Sequence, residues 1–266
     1  MAEINAKDVM KLRDRTGLQM MACKAALNEA GGDFEKAEEL LRKQLKGKME
    51  SRAGRAAGEG AVKVSVGNGG ATIVEIRAET DFTAKAEKFQ AMAQKIADLS
   101  LAAGAGTVSA TPAMTAALDE VKIATNENCS IARMQKYSGG KFGTYVHHDG
   151  KTAVVVQADG PVTEDVLKDI CMHIAAASPR PLAVSPDELP AAVVEKERKF
   201  RLEQAMESGK PKEIAEKMVE GGMRKFFEEI ALLEQPYIRD EKKKIKDLVT
   251  GSTIKAFSRW SVGEEA

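Results

Sequence analysis

Cysteine and histidine are the first residues to consider as nucleophile, base or metal ligand in this chain of 266 residues. They are Cys23, Cys129, Cys171, His147, His148 and His173. Without a CxxC spacing, neither a disulfide framework nor a structural zinc site has its ligands, and the scattered thiols point to a reducing compartment. His147 and His148 are predicted on one strand and face opposite sides, while Cys171 and His173 lie two apart on a helix. The spacing predicts no catalytic pair, and contact between distant groups stays open.

Two other segments resemble ligand-binding sequences. Gly150–Thr152 resembles the end of a phosphate loop, but Tyr145 stands where that loop needs glycine, so a hairpin turn is the preferred interpretation. The run Lys242–Lys244 could touch RNA or form a solvated helix face, and we favour the solvated face. Because 40 basic residues balance 40 acidic ones and aromatic residues make up 5% of the chain, direct nucleic-acid binding is not indicated.

The segment Thr80-Asp81-Phe82 lies between a predicted strand and a long predicted helix. We call this strand-to-helix connection the corner. Thr80 or Asp81 is a suitable N-cap for that helix. Phe82 precedes Phe89 by seven residues and so fits the buried stripe of the helix, which is the interpretation that spacing favours. The alternative is an aromatic side chain displayed at the corner for the pocket of a partner protein. Both interpretations stay open on spacing alone.

The elements that must position these residues begin with three short helical patterns in residues 1–50. Asn5 and Asp33 are predicted N-caps of the first and third helices, and Gly31 follows the second. Such a small three-helix bundle is expected to be marginally stable alone. Residues 46–60, rich in glycine, lysine and arginine, are predicted to form a mobile basic linker, which we place at 51–60 between the domains.

The rest of the chain is predicted to be two related α+β subdomains, 61–140 and 141–266, each with an antiparallel sheet. In the first, a β-hairpin turns at 67–70 and is followed by a long helix that starts after a cap at Thr80 or Asp81 and ends at Gly104, and then by a helix over about 112–124. Strands near 131–135, 142–147 and 153–157 and a helix then repeat the plan. An antiparallel helical hairpin is predicted at about 191–230, with Pro211 at a first helical position. The last strand, 253–262, has Ile254, Ala256, Trp260 and Val262 in one phase and is expected to join the second sheet.

The amino-terminal residues lack the basic and apolar stretches of a secretory signal, and no window approaches the roughly 18 to 20 apolar residues of a membrane span. A cytoplasmic protein without a membrane partner is expected.

Four separated motifs, in order, resemble the elongation factor Ts family. They are Arg15–Gly17 with Met20, Met21, Cys23 and Lys24; Thr80–Phe82; Met172–Ala176; and Ser208–Ala215. The resemblance covers nearly the whole chain and implies a guanine-nucleotide exchange factor that binds elongation factor Tu in its GDP-bound and nucleotide-free states. No covalent catalysis, cofactor or metal is implied. A homodimer or a two-to-two complex stays open.

The resemblance also implies roles for particular residues. The bundle is similar to a ubiquitin-associated-type domain, in which Met20 and Met21 would touch the nucleotide-binding domain of the partner. Thr80 belongs to the motif in which Asp81 and Phe82 match the family's intruding pair, and the resemblance reverses the preference for a buried Phe82. The ring would enter near the magnesium site and loosen the cation and the loop around the GDP phosphates. His147 matches a position that faces the partner's third domain, and the helical hairpin would project and help association.

The chain departs from the family pattern at three places. Gln19, Ala22 and Ala25 stand where the family has glycine, aspartate and lysine, so the first contact loses one carboxylate and one ammonium group. Thr83 replaces a common apolar residue. Residues 124–130 differ from the usual Gly-Glu-Asn-Ile run, and no partner contact is carried over to them.

Overall fold

The computed structural model describes residues 4–50, 52–207 and 211–264, with backbone alone for residues 45–50. The chain is α+β, as predicted, with an amino-terminal three-helix bundle followed by antiparallel sheets and helices. The division into domains at the predicted boundaries stays a prediction.

The bundle consists of α1 (Ala6–Thr16), α2 (Met20–Glu29) and α3 (Phe34–Glu50). Its caps are those predicted: the Asn5 side chain accepts from the Asp8 amide, and the Asp33 carboxylate accepts from the Glu35 and Lys36 amides. Small and branched apolar side chains close its core, namely Val9, Leu12, Leu18, Cys23, Ala26, Leu27, Ala37 and Leu41.

The linker predicted from residue 46 begins later, because α3 continues to Glu50. The residues that follow α3 also form hydrogen bonds with the loop before residue 130. Arg52 donates to the backbone and side-chain oxygens of Asn126, and Asn128 donates to the carbonyls of Ala53 and Arg55. The prediction of a helix-free segment from residue 46 is therefore wrong for 46–50.

The first subdomain contains β1 (Glu59–Gly67), β2 (Gly70–Ala78), α4 (Asp81–Lys85), α5 (Glu87–Ser100), β3 (Gly106–Thr107), α6 (Pro112–Thr125) and β4 (Ser130–Ser138). The strands pair antiparallel in the order β1-β2-β4-β3. The predicted hairpin is confirmed, with Asn68 and Gly69 at positive φ in its turn. The strand near 131–135 pairs with β2 and so belongs to this sheet, not to the repeated plan of the second half.

The second subdomain contains β5 (Lys141–Val146), β6 (Thr152–Asp159), α7 (Glu164–Ala176), α8 (Ala191–Glu207), α9 (Lys212–Ile230), β7 (Pro236–Tyr237), β8 (Asp240–Lys244), α10 (Ile245–Leu248) and β9 (Thr253–Ser261). Two 3-10 turns, Pro186–Glu188 and Leu232–Glu234, flank the helical hairpin. The sheet order is β5-β6-β9, and β7 pairs with β8. The last strand joins the second sheet, as predicted.

Three details of this half differ from prediction. Lys242–Lys244 lie on β8 and not on a helix, and Lys244 pairs with Glu228 and Glu234. Pro211 is the N-cap of α9, while the rest of the predicted turn, 208–210, lies outside the described residues. A register shift opposite Gln157 in β9 breaks the single predicted phase.

That register shift sends the two ends of β9 to different cores. Ile254 packs with the core around α7, whereas Trp260 and Val262 pack between the sheets. An extra residue in one strand reverses the side on which later side chains point. The predicted single stripe is therefore split between two layers.

The two sheets meet face to face, and β2 is buried on both sides. Val74 and Ile76 face α5 and α6, while Ile73 packs with Ala153 and Val155 of the second sheet. The end of β2 and the corner that follows it are therefore held by packing on both faces of the strand.

Candidate partner-binding site

The corner after β2 is a separate short helix, not the start of the long one. Thr80 is the N-cap of α4, with its hydroxyl accepting from the Thr83 amide at 3.2 Å. Ala86 then adopts φ −63° and ψ 138°, an extended conformation that ends α4 before α5 begins. The prediction that Thr80 or Asp81 caps the long helix is therefore wrong, although Thr80 does act as a cap.

Phe82 is 83% exposed, whereas the next two residues, Thr83 and Ala84, are each only 3% exposed. The extended residue Ala86 interrupts the helical period, so the seven-residue spacing to Phe89 does not place both rings on one face. The buried interpretation of Phe82, which spacing favoured, is wrong for this reason. The structure presents an aromatic ring at the corner.

Asp81 forms an i,i+4 ion pair with Lys85, with 2.7 Å between the carboxylate oxygen and Nζ. The hydrogen bond from Lys85 lowers the pKa of Asp81 below its usual value, and the charge of Lys151 adds a smaller effect in the same direction. The same hydrogen bond raises the pKa of Lys85. A carboxylate in the first turn also suits the amino end of a helix. The exposed ring is therefore flanked by a charged pair.

Two carboxylates that sequence reasoning missed hold the corner to the loop between α6 and β4. The Glu127 carboxylate accepts from the Thr80 amide at 3.1 Å and from the Thr80 hydroxyl at 2.7 Å. In return, the Glu79 carboxylate accepts from the backbone amide of Asn128 at 2.6 Å. Glu127 lies 47 residues from Thr80 in sequence, so no local pattern could reveal the contact.

Met20 and Met21 lie in the first turn of α2 and are 47% and 74% exposed. They follow the α1–α2 turn, where Gly17 takes φ 71° and Thr16 donates to the Leu12 carbonyl at 2.7 Å. The bundle therefore presents two thioether side chains on a unit separate from the corner.

His147 follows β5 and opens the turn to β6, so it is not on the strand as predicted. Its Nδ1 lies 3.0 Å from the Tyr145 hydroxyl, and its ring centroid lies 4.2 Å from that of His148. The expectation that the two histidines point to opposite faces is wrong, because the strand ends at Val146. The Gly150–Thr152 segment lies at the hairpin between β5 and β6, as expected.

This turn lies on the same side of the molecule as the corner. The amide of Val62 in β1 donates to the Gly150 carbonyl at 2.9 Å, and Lys151 pairs with Glu59 at 2.5 Å. The charges of Lys151 and Glu59 act on Asp81 and Lys85, respectively. The structure thus brings the β5–β6 turn close to α4.

The side chains of Cys129, Cys171 and His173 are buried in the packed interior of the chain. Burial raises the pKa of the Cys171 thiol and raises that of Cys129 to about 11, which keeps both protonated near neutral pH. His173 is 2% exposed, its Nε2 lies 2.9 Å from the Gln235 side-chain oxygen, and burial lowers its pKa. A nucleophilic role for these groups finds no support in their geometry.

The described residues contain neither a metal-binding cluster nor a membrane-crossing helix. Over residues 4–50, 52–207 and 211–264, no group of three or more histidine, cysteine, aspartate or glutamate side chains is arranged to hold a metal ion. In the same described segments, no helix combines the length and apolar character needed to cross a membrane.

Comparison with known proteins extends the resemblance seen in the motifs. A family described as Elongation factor TS matches residues 79–264. Elongation factor Ts of Pasteurella multocida is 43% identical over 267 residues, covering 99% of this chain and 93% of the relative. The proteins of that name from Salmonella gallinarum and Actinobacillus succinogenes are 42% and 43% identical, with the same coverage.

Proposed function

Because the chain belongs to the elongation factor Ts family and is thus a translation elongation factor, we propose that it binds elongation factor Tu and accelerates GDP release. GTP then rebinds to the emptied site. The protein acts in the cytoplasm, on the GDP-bound and nucleotide-free states of its partner. The exposed ring of Phe82 on the corner supports this proposal most directly.

The proposed mechanism is an insertion and not a chemical reaction. Phe82 enters near the magnesium and phosphate site of the partner, where its volume displaces the elements that hold the cation and the GDP phosphates. Asp81 accompanies it as a charged neighbour, and the hydrogen bond from Lys85 stabilises its ionised form. Since the accelerated step is dissociation of a bound nucleotide, no acid–base pair of this chain is needed.

The energies indicate that the ring does not act alone. Factor and nucleotide must weaken each other's binding by the same factor, because coupling between two sites is reciprocal. A weakening on the order of a thousandfold corresponds to about 4 kcal/mol. Burial of one phenyl side chain yields roughly 1.5 to 3 kcal/mol. Broader contacts must therefore supply the remainder.

We assign those contacts to two surfaces. Met20 and Met21 bind the nucleotide-binding domain of the partner through their exposed side chains. His147 and its turn face the third domain. Together they supply affinity, and Phe82 directs part of the binding energy into distortion of the magnesium and phosphate site.

Replacement of Phe82 by alanine tests the proposal. We expect Phe82→Ala to slow GDP release from elongation factor Tu by at least about tenfold at saturating factor, a loss of about 1.4 kcal/mol. Complex formation should remain measurable because Met20, Met21 and His147 are untouched. Stopped-flow fluorescence with a labelled GDP measures the rate, and titration of nucleotide-free partner measures affinity.

Val66→Ala is the matched control, since Val66 is 54% exposed and lies at the far end of the β1–β2 hairpin. It should release GDP at the wild-type rate. Unchanged release by Phe82→Ala would refute the insertion mechanism.

A further inference from the structure

The loop between α6 and β4 and the corner form hydrogen bonds with each other. The insertion mechanism proposed above gives these hydrogen bonds no role. Glu127 binds both the amide and the hydroxyl of Thr80, and Glu79 binds the Asn128 amide. Arg55 adds an ion pair to Glu79 at 3.5 Å. Each side of the junction thus supplies one carboxylate to the other.

The Thr80 hydroxyl links this junction to α4. It donates to Glu127 at 2.7 Å and accepts from the Thr83 amide at 3.2 Å, so the carboxylate fixes the rotamer that caps the helix. A helix of five residues is too short to be stable by its own hydrogen bonds. Its direction must come from the cap and from the burial of Thr83 and Ala84.

We propose that Glu127 is a positioning residue: by holding Thr80, it fixes the direction of α4 and so aims the ring of Phe82 at the partner. This inference rests on the proposed function. Glu79 supports the same arrangement by holding the loop at Asn128. Glu127 acts through Thr80 and needs no contact with the partner.

The same loop also receives the chain that leaves the bundle. Arg52 donates to Asn126, and Asn128 donates to the carbonyls of Ala53 and Arg55. The loop is therefore the place where the connection from the bundle and the base of the corner are joined. An element fixed from both sides keeps the ring in one direction as the bundle binds.

The test is Glu127→Ala in the full chain, with GDP release measured over a range of factor concentrations. The maximal release rate should fall about tenfold, equivalent to about 1.4 kcal/mol, while the half-saturating concentration changes little. Glu127→Gln keeps one oxygen acceptor and should give an intermediate rate. Thr80→Ser retains the hydroxyl and should remain close to wild type, whereas Thr80→Val should resemble Glu127→Ala.

Glu120→Ala is the matched control because it removes an exposed carboxylate from the preceding helix, α6. It should leave the maximal rate unchanged. Amide hydrogen exchange gives a second readout: the Thr80 amide should exchange faster in Glu127→Ala. If that variant fails to fold, Thr80→Val provides the same test of aim.

A double variant separates aiming from a general structural effect. Glu127→Ala should not slow release further in a chain that already carries Phe82→Ala, because no ring is left to aim. An equal slowing in both backgrounds would overturn the positioning role. If Phe82→Ala is slow but Glu127→Ala has the wild-type rate, this inference alone fails; if Phe82→Ala itself is unchanged, the proposed function fails.

Discussion

At the scale of single residues, the corner combines an exposed ring with a closely held backbone. Single exposed apolar side chains are common on protein surfaces and by themselves indicate little. Phe82 differs because its neighbours Thr83 and Ala84 are buried and its helix cap is held by Glu127. The ring is thus fixed in direction while its surface stays free to be covered by a partner.

The ion pair beside the ring makes a measurable prediction. Asp81 should titrate below its usual value of about 3.9, because Lys85 stabilises the carboxylate. Lys85→Met should raise that pKa towards the usual value, and Lys151→Met should raise it less. NMR titration of the Asp81 carboxyl carbon measures both shifts, and an Asp81 pKa unaffected by Lys85→Met would contradict the assignment.

The Asp81–Lys85 pair stabilises α4 only while Asp81 is ionised. Since the pKa is lower in the folded chain, the contribution of the pair is present above the unfolded pKa of about 3.9. It is lost as the pH falls through the lower, folded pKa of Asp81. GDP release near neutral pH should therefore show no step that comes from this carboxylate.

At the scale of elements, a buried carboxylate joins the two subdomains. Glu75 in β2 is fully buried and pairs with Arg133 at 2.6 Å and Arg77 at 2.5 Å. It also accepts from the Gly263 amide, next to the end of β9, and Arg133 lies over the Trp260 ring. A charge removed from water is tolerated here because each oxygen has partners.

We expect Glu75→Gln to lower the free energy of unfolding by roughly 3 kcal/mol, because both arginines lose their counter-charge. Glu39→Gln is the matched control. Glu39 forms an exposed pair with Lys43 that solvent screens, so its loss should leave the free energy of unfolding close to that of the wild type. Urea denaturation followed by circular dichroism compares the two. Equal stability of both variants would show that the Glu75 cluster does not hold the sheets together.

At the scale of the whole molecule, the bundle is a unit with its own core beside the first subdomain. A cleft of about 850 Å³ lies between it and the helices α5 and α6, lined by residues such as Arg15, Arg42, Lys88 and Lys95. Contact across this boundary is carried by Ile123, which packs on the bundle core, and by the chain around Arg52. The core of the first subdomain is closed by its own sheet and helices.

Removal of residues 1–50 should therefore leave the body folded and weaken the complex. We expect affinity for nucleotide-free elongation factor Tu to fall at least about tenfold, a loss of about 1.4 kcal/mol, since Met20 and Met21 are lost. The maximal rate of GDP release should fall less, because Phe82 remains. Isothermal titration calorimetry measures the affinity.

Substitutions in the full chain separate the methionines from the rest of the bundle. Met20→Ala combined with Met21→Ala should reproduce most of the loss. Met10→Ala, which changes a methionine that is 51% exposed on α1, should not. An unchanged affinity after truncation would remove the bundle from the proposed interface.

Sequence reasoning predicted the elements whose signals are local. The caps Asn5 and Asp33, the Asn68-Gly69 turn and the stripe of α5 around Ile96 are set by neighbours within a few residues. Predictions failed where one residue changes the phase of a pattern. Ala86 separates α4 from α5, and the irregularity opposite Gln157 splits β9 between two cores.

The sequence by itself determined the α+β class, the order of most elements and, through four motifs, the family. Those features depend on short-range periodicity and residue type, which the chain carries in its order. The family resemblance already favoured an exposed Phe82, but only the tertiary structure shows that its ring is exposed and that Glu127 holds Thr80. Exposure depends on which distant surfaces are packed together, and a hydrogen bond between residues 47 positions apart exists because the sheet and α6 bring the two ends to one place.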